Sequence, residues 1–105
     1  MSTRLELLKR YMIEDPEDSF LRYAIALELI AVNNYSEAYN YLEKLLIDDA
    51  EYLAAYYQAG KTAEALGQKE KAQNWYIAGI EVARRQNDRH TLQELEMALE
   101  SIFDA

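Results

Sequence analysis

Catalysis needs an activated nucleophile, a base held by a partner, a metal cluster or a cradle for phosphate. The chain offers few starting points for any of these. Its one histidine, His90, lies between Arg89 and Thr91 in a polar stretch, and a lone histidine in such a turn reads as a surface residue. The acidic runs Glu14-Asp15-Glu17-Asp18 and Asp48-Asp49-Glu51 lack the Asp/Asn–Gly–Glu spacing of a calcium loop. They suit helix ends and solvated turns instead. The only glycines are Gly60, Gly67 and Gly79, so there is no glycine-rich loop to hold a phosphate. The absence of cysteine excludes disulfides and thiolate metal sites, and fits a reducing compartment. The expectation is a protein that is not an enzyme, with no cofactor and no catalytic or metal-binding residues.

Charge narrows the partners. The 105 residues carry a net charge of -8, which disfavours a surface for nucleic acid or for an anionic membrane. No apolar run approaches the roughly 18–20 residues that span a bilayer. The opening MSTRLELLKRYM lacks the continuous apolar stretch and small-residue cleavage site of a signal peptide. These features point to a cytoplasmic protein whose partner is another protein or peptide.

The elements that position the remaining residues are helices. Only three glycines and one proline interrupt a chain rich in Ala, Leu, Glu and Lys. A first helix is predicted over 3–14, with Thr3 and Glu6 as a capping box and Leu5, Leu8 and Met12 on one face. Asp15 is a candidate cap for the second, with Pro16 in its first turn, and the helix carries Phe20, Tyr23, Ala24, Leu27, Ile30 and Ala31. Asn33-Asn34 forms a turn, and Ser36 opens a third helix that Asp48-Asp49 ends. A fourth is predicted over 51–66, stopped by Gly67, and a fifth over 69–85. Thr91 and Glu94 suggest a capping box for a last helix whose apolar stripe is Leu92, Leu95, Leu99 and Ile102.

Residues 19–52 and 53–86 are degenerate copies offset by 34 positions. Tyr23 falls on Tyr57, Ala26 on Gly60, Ala38 on Ala72, and Leu42 on Tyr76. A period of this length marks stacked helical hairpins. The second copy reads Tyr56-x2-Ala59-Gly60-x2-Ala63 and then Ala72-x3-Tyr76; the first reads Arg22-x2-Ile25-Ala26-x2-Leu29 and then Ala38-x3-Leu42. This pattern resembles the tetratricopeptide repeat. Arg22 replaces the usual aromatic, Leu45 stands where a small residue is common, and Ala50 and Arg84 take the proline position. The resemblance implies an all-α fold of antiparallel hairpins stacked as a short right-handed solenoid. Within one domain over 1–105, residues 1–18 would form a leading half-repeat, 19–52 and 53–86 the two repeats, and 87–105 a capping helix. That last helix comes into register only after an insertion of about four residues near Asn87–His90.

In this family the first helix of each unit lines a concave groove. Carried over residue by residue, the resemblance assigns Phe20, Tyr23, Leu27 and Ile30 as an apolar contact strip, with Tyr57, Gln58, Lys61 and Glu64 setting specificity. Some relatives clamp the C-terminal carboxylate of chaperones with lysine, arginine and asparagine. Here Tyr23, Ala24 and Leu27 occupy such positions and only Lys61 is basic, so that activity is not expected. The expected function is non-catalytic protein–protein interaction in an adaptor or assembly role. The competing expectation is a self-associating module, a homo-oligomer whose groove is filled by a second copy. Charge is uneven along the chain, with two basic and six acidic residues in 19–52 against five and three in 53–86.

Overall fold

The computed structural model describes residues 3–104, and the side chain of Thr3 lies outside the described set. Among the described residues six helices follow one another: α1 (Thr3–Glu14), α2 (Ser19–Ala31), α3 (Tyr35–Asp48), α4 (Ala54–Ala65), α5 (Lys69–Arg85) and α6 (Arg89–Asp104). Each packs against the next in the chain, and α4 also touches α6. The fold is an all-α helical repeat.

The same turn is used three times. Asn33, Gly67 and Asn87 adopt left-handed backbone at φ 61°, 74° and 57°. At each, two amides fold back on the preceding helix: Asn33 to the Ile30 carbonyl and Asn34 to Leu29, Gly67 to Glu64 and Gln68 to Ala63, Asn87 to Arg84 and Asp88 to Ala83. This is the Schellman arrangement, which satisfies carbonyls the helix end would leave unpaired. Asparagine serves where glycine would because its short polar side chain tolerates this region.

The caps differ in detail from expectation. Asp18, not Asp15, caps α2 by accepting from the Leu21 amide, which leaves Pro16 in the preceding turn. Asn34 caps α3 by accepting from the Glu37 amide, so the helix opens at Tyr35 rather than Ser36. Asp88 caps α6 and takes both the amide and the hydroxyl of Thr91, so Thr91 is the capped residue rather than the cap. Those two bonds hold the Asp88 carboxyl below its ordinary pKa. In each case an Asp or Asn outcompetes the predicted residue because its side chain reaches the amide three residues on. The proposed capping partner Thr3 falls on an undescribed side chain.

Two further boundaries moved. α4 begins at Ala54 instead of near residue 51, preceded by Leu53, whose side chain is buried and makes no cap. The extra residues before the last helix do not form a loop. They lengthen α5 to 17 residues against 14 for α3, and the turn at Asn87 follows directly.

The core follows the repeat. Ala26, Ala38, Leu42, Ala59, Ala63, Ala72 and Tyr76 are all fully buried. Small residues let helices approach so that larger ones fill the gap. The Tyr76 ring lies directly on the backbone of Gly60, where a Cβ would stand 2.6 Å from Cδ1. Gly79 likewise leaves room for Tyr56 and Leu95, and it occupies in the second unit the position of Leu45 in the first.

Arg22 is explained by a bond repeated between units. Its Nε donates to the Pro16 carbonyl at 3.0 Å, and the Tyr56 hydroxyl donates to the Ala50 carbonyl at 2.7 Å. Both donor and acceptor pairs are related by the 34-residue offset. A guanidinium and a phenol thus tie the incoming chain to the same helix position. Arg22 is only 4% exposed and also meets Asp48 at 2.7 Å, so its charge is paired.

Candidate functional site

The candidate site is the face shared by the first helix of each hairpin. On α2, helical spacing puts Phe20, Leu27 and Ala31 on one ridge, and all three are exposed, Phe20 at 64% and Leu27 at 36%. Tyr23 and Ile30 flank this ridge half-buried, packed against the main core. Ala24 is buried in a second cluster with Leu8 of α1, so it leaves the strip. The apolar strip is therefore split: part is core, while Phe20 and Leu27 remain open.

On α4, Lys61 is exposed, whereas Tyr57, Gln58 and Glu64 are half-buried. Lys61 Nζ lies 5.8 Å from the centre of the Tyr57 ring, within reach of a cation–π contact. The Tyr57 ring leans on Tyr76 with centroids 6.4 Å apart. The Tyr76 hydroxyl donates to the Glu64 carboxylate. Burial first, and then this carboxylate, pushes the Tyr76 phenol far above its ordinary pKa.

Tyr23 joins the helices. Its ring tilts against Tyr52 at 5.4 Å, in the connection before α4, and the Gln58 side chain lies near enough to its hydroxyl to influence its pKa. Burial raises the Tyr23 pKa; the Gln58 side chain opposes this, and the nearby Glu94 carboxylate adds to it. Tyr23 of α2 thus senses polar groups on two other first helices, Gln58 of α4 and Glu94 of α6. By helical spacing Met97 shares the Glu94 face, and it is 70% exposed.

All eight residues assigned from the sequence lie on α2 and α4; the structure places Lys61 over the Tyr57 ring and Gln58 near Tyr23. Sequence reasoning missed Glu94, Met97 and Tyr52. The 34-residue offset puts Glu94 and Met97 at the buried positions of Gly60 and Ala63, so the register shift that precedes α6 hid them. Tyr52 sits between helices, where periodicity carries no information. His90 is exposed in the first turn of α6. Among the described residues no three His, Asp or Glu side chains gather as a metal site would require. No helix among them is long and apolar enough to cross a membrane.

A tetratricopeptide repeat domain protein of Salinibacter ruber is 39% identical over 83% of this chain and 88% of its own, with a TM-score of 0.78. The chain belongs to the tetratricopeptide repeat family. Two more distant structures share the fold. The TPR2B domain of yeast Sti1 in its pHsp70 complex is 16% identical over 95% of this chain and 80% of its own, with a TM-score of 0.88. The type III secretion translocator chaperone SycD of Yersinia enterocolitica is 14% identical over 93% of this chain and 68% of its own, with a TM-score of 0.86. No family sequence model and no curated protein sequence matches the chain.

Proposed function

We propose that this tetratricopeptide repeat chain is a non-catalytic, cytoplasmic module that binds a segment of another protein along the α2–α4–α6 face. In this reading 19–52 and 53–86 are the two units, with 1–18 and 87–105 as flanking half-units. One observation carries the proposal: Phe20 and Leu27 stay exposed on α2, near the Tyr23–Tyr52 ring pair and on the same side of the array as Lys61 over Tyr57 on α4. An apolar ridge flanked by polar groups suits a peptide or helix with apolar anchors. Phe20 and Leu27 would supply the buried contact, and Lys61 and Gln58 the polar selection. Glu64 would act less directly, because its carboxylate already accepts from Tyr76. The likeness to a domain solved in complex with pHsp70 supports a binding role in kind, without naming the partner.

Panning a displayed peptide library on the immobilised chain, then titrating enriched peptides, tests this. Leu27→Glu should weaken binding at least about tenfold, the equivalent of 1.4 kcal/mol, while leaving the helical spectrum unchanged. Enriched peptides that bind Leu27→Glu and Phe20→Glu as tightly as the wild type would overturn the assignment of this face.

A further inference from the structure

The first and last described helices are complementary halves of one hairpin. On the 34-residue offset, α1 falls on α3 and α5: Leu8 on Leu42 and Tyr76, Tyr11 on Leu45 and Gly79, Arg4 on Ala38 and Ala72. It is a second-type helix, and among the described residues no first-type helix precedes it. Leu45 is fully buried between helices, whereas Tyr11 in the same register is 51% exposed and Leu7 beside it is 40% exposed. At the other end α6 packs on α5 as the first-type helix α4 packs on α3, and no second-type helix follows among the described residues.

The space where such a helix would lie is a groove between α5 and α6. Its walls include Ile77, Leu99 and Phe103, with Glu96 and Glu100 along the α6 edge. Ile77 and Phe103 are largely exposed, at 51% and 70%. The charges of the two ends are opposite in balance. α1 carries three basic and two acidic residues, and α6 carries one basic and four acidic. Arg10 and Glu100 are exposed, and neither has an ion-pair partner among the described residues.

We infer that α1 of one molecule docks into the α5/α6 groove of a second copy, completing a hairpin at the junction. Register places Leu7 toward α5 and Tyr11 toward α6, burying them against Ile77, Leu99 and Phe103. Arg4 stands at the small-residue position of the second helix, facing the α6 edge where Glu100 has no ion-pair partner among the described residues. Arg4 and Glu96 would exchange their long intramolecular contacts to Glu28 and Arg84, at 3.7 and 3.9 Å, for this one. The contact is heterologous, head to tail, so it propagates rather than closing as a dimer. It uses neither Leu27 nor Phe20, and therefore stands or falls separately from the peptide face. One helix in a groove covers less than the roughly 1,200–2,000 Å² of a standard interface, so association is expected to be weak and salt-sensitive.

The test is sedimentation velocity on the 105-residue chain, from about 10 μM to about 1 mM, at low and high salt. The wild type should form a ladder of species that shortens as salt rises. Tyr11→Asp blocks only the leading end and Phe103→Asp only the trailing end. Both positions are exposed, so folding should persist, and circular dichroism checks it. Each variant alone should be monomeric across the range. Mixed in equal amounts, they should form dimers and nothing larger, because each retains one competent end. The inference is overturned by a wild type that stays monomeric to 1 mM, by a folded pair that does not associate on mixing, or by single variants that assemble like the wild type. Leu27→Glu should assemble normally.

Discussion

Gly60→Ala should be destabilising although alanine is the better helix former, and Tyr76→Leu should partly rescue it. The added Cβ would stand 2.6 Å from Tyr76 Cδ1 and closer still to Cε1 and Cζ. The ring cannot step aside, since Tyr76 is fully buried and its hydroxyl is tied to Glu64. Overpacking of this kind costs about 1–3 kcal/mol, and the severity of the clash puts Gly60→Ala near the top of that range. Helix propensity returns at most about 1 kcal/mol. The net expectation is a loss of about 2 kcal/mol, or about 10 °C in Tm for a domain of this size. Tyr76→Leu alone should cost about 2–4 kcal/mol, through a void over Gly60 and a lost hydrogen bond. The double variant recreates the Ala26–Leu42 combination that the first unit already buries completely. Its cost should fall short of the sum by about 2 kcal/mol, a coupling well above the few tenths expected of independent sites. Urea unfolding followed by circular dichroism and by Trp75 fluorescence measures all four corners. Additive losses, or a Gly60→Ala variant as stable as the wild type, would refute the claim that the two units solve one packing problem in two ways.

Other outcomes follow from the same contacts. Arg22→Tyr should cost less than about 1 kcal/mol by urea unfolding, because Tyr56 already makes the equivalent bond to Ala50. Arg22→Ala, which removes both the packing and the donor to Pro16, should cost about 1–3 kcal/mol. Asp18→Ala should cost about 1 kcal/mol and Asp15→Ala almost nothing, since only Asp18 accepts from the α2 amides. Tyr23, Tyr52, Tyr56 and Tyr76 all have raised pKa values, chiefly from burial. The folded state therefore keeps protons that the unfolded chain gives up near pH 10. Their contribution to stability is complete below that pH and declines above it, by about 1.4 kcal/mol per pH unit for each tyrosine that stays protonated. Chemical denaturation from pH 8 to 11 should show this fall, and Tyr76→Phe should make it shallower.

The 34-residue offset made the hairpins and most helix limits legible, because stacking demands small residues at fixed intervals. What it hid was local competition between polar side chains. Asp15, Ser36 and Thr91 all have the right chemistry to cap, yet Asp18, Asn34 and Asp88 do so, and only three-dimensional reach separates them. The candidate face was half legible. Phe20 and Leu27 could be placed on a ridge by spacing alone, but Ala24 shares that spacing and is covered by α1. Whether a neighbouring helix closes over a residue is a fact of packing that periodicity does not contain. Glu94 was missed for a similar reason, since three more residues of α5 displace the count without breaking a helix.

The structure also explains how two units of one scaffold can present unlike faces. The residues that set the repeat, Arg22 or Tyr56 over the preceding loop and Ala26 or Gly60 beneath Leu42 or Tyr76, lie on the sides of α2 and α4 that meet the second helices. Each exchange is compensated locally, so the backbone period survives it. Phe20, Leu27 and Lys61 lie on the opposite side and touch little of this machinery, so changes there should alter binding at small cost in stability. Glu64 is the exception. Its half-buried carboxylate is held by the Tyr76 hydroxyl, a bond the first unit cannot make because Ile30 and Leu42 stand at those positions. Substituting Glu64 should therefore disturb the core and the face together, whereas substituting Lys61 should disturb the face alone. A role for Glu64 in binding has to be judged after subtracting its role in the fold.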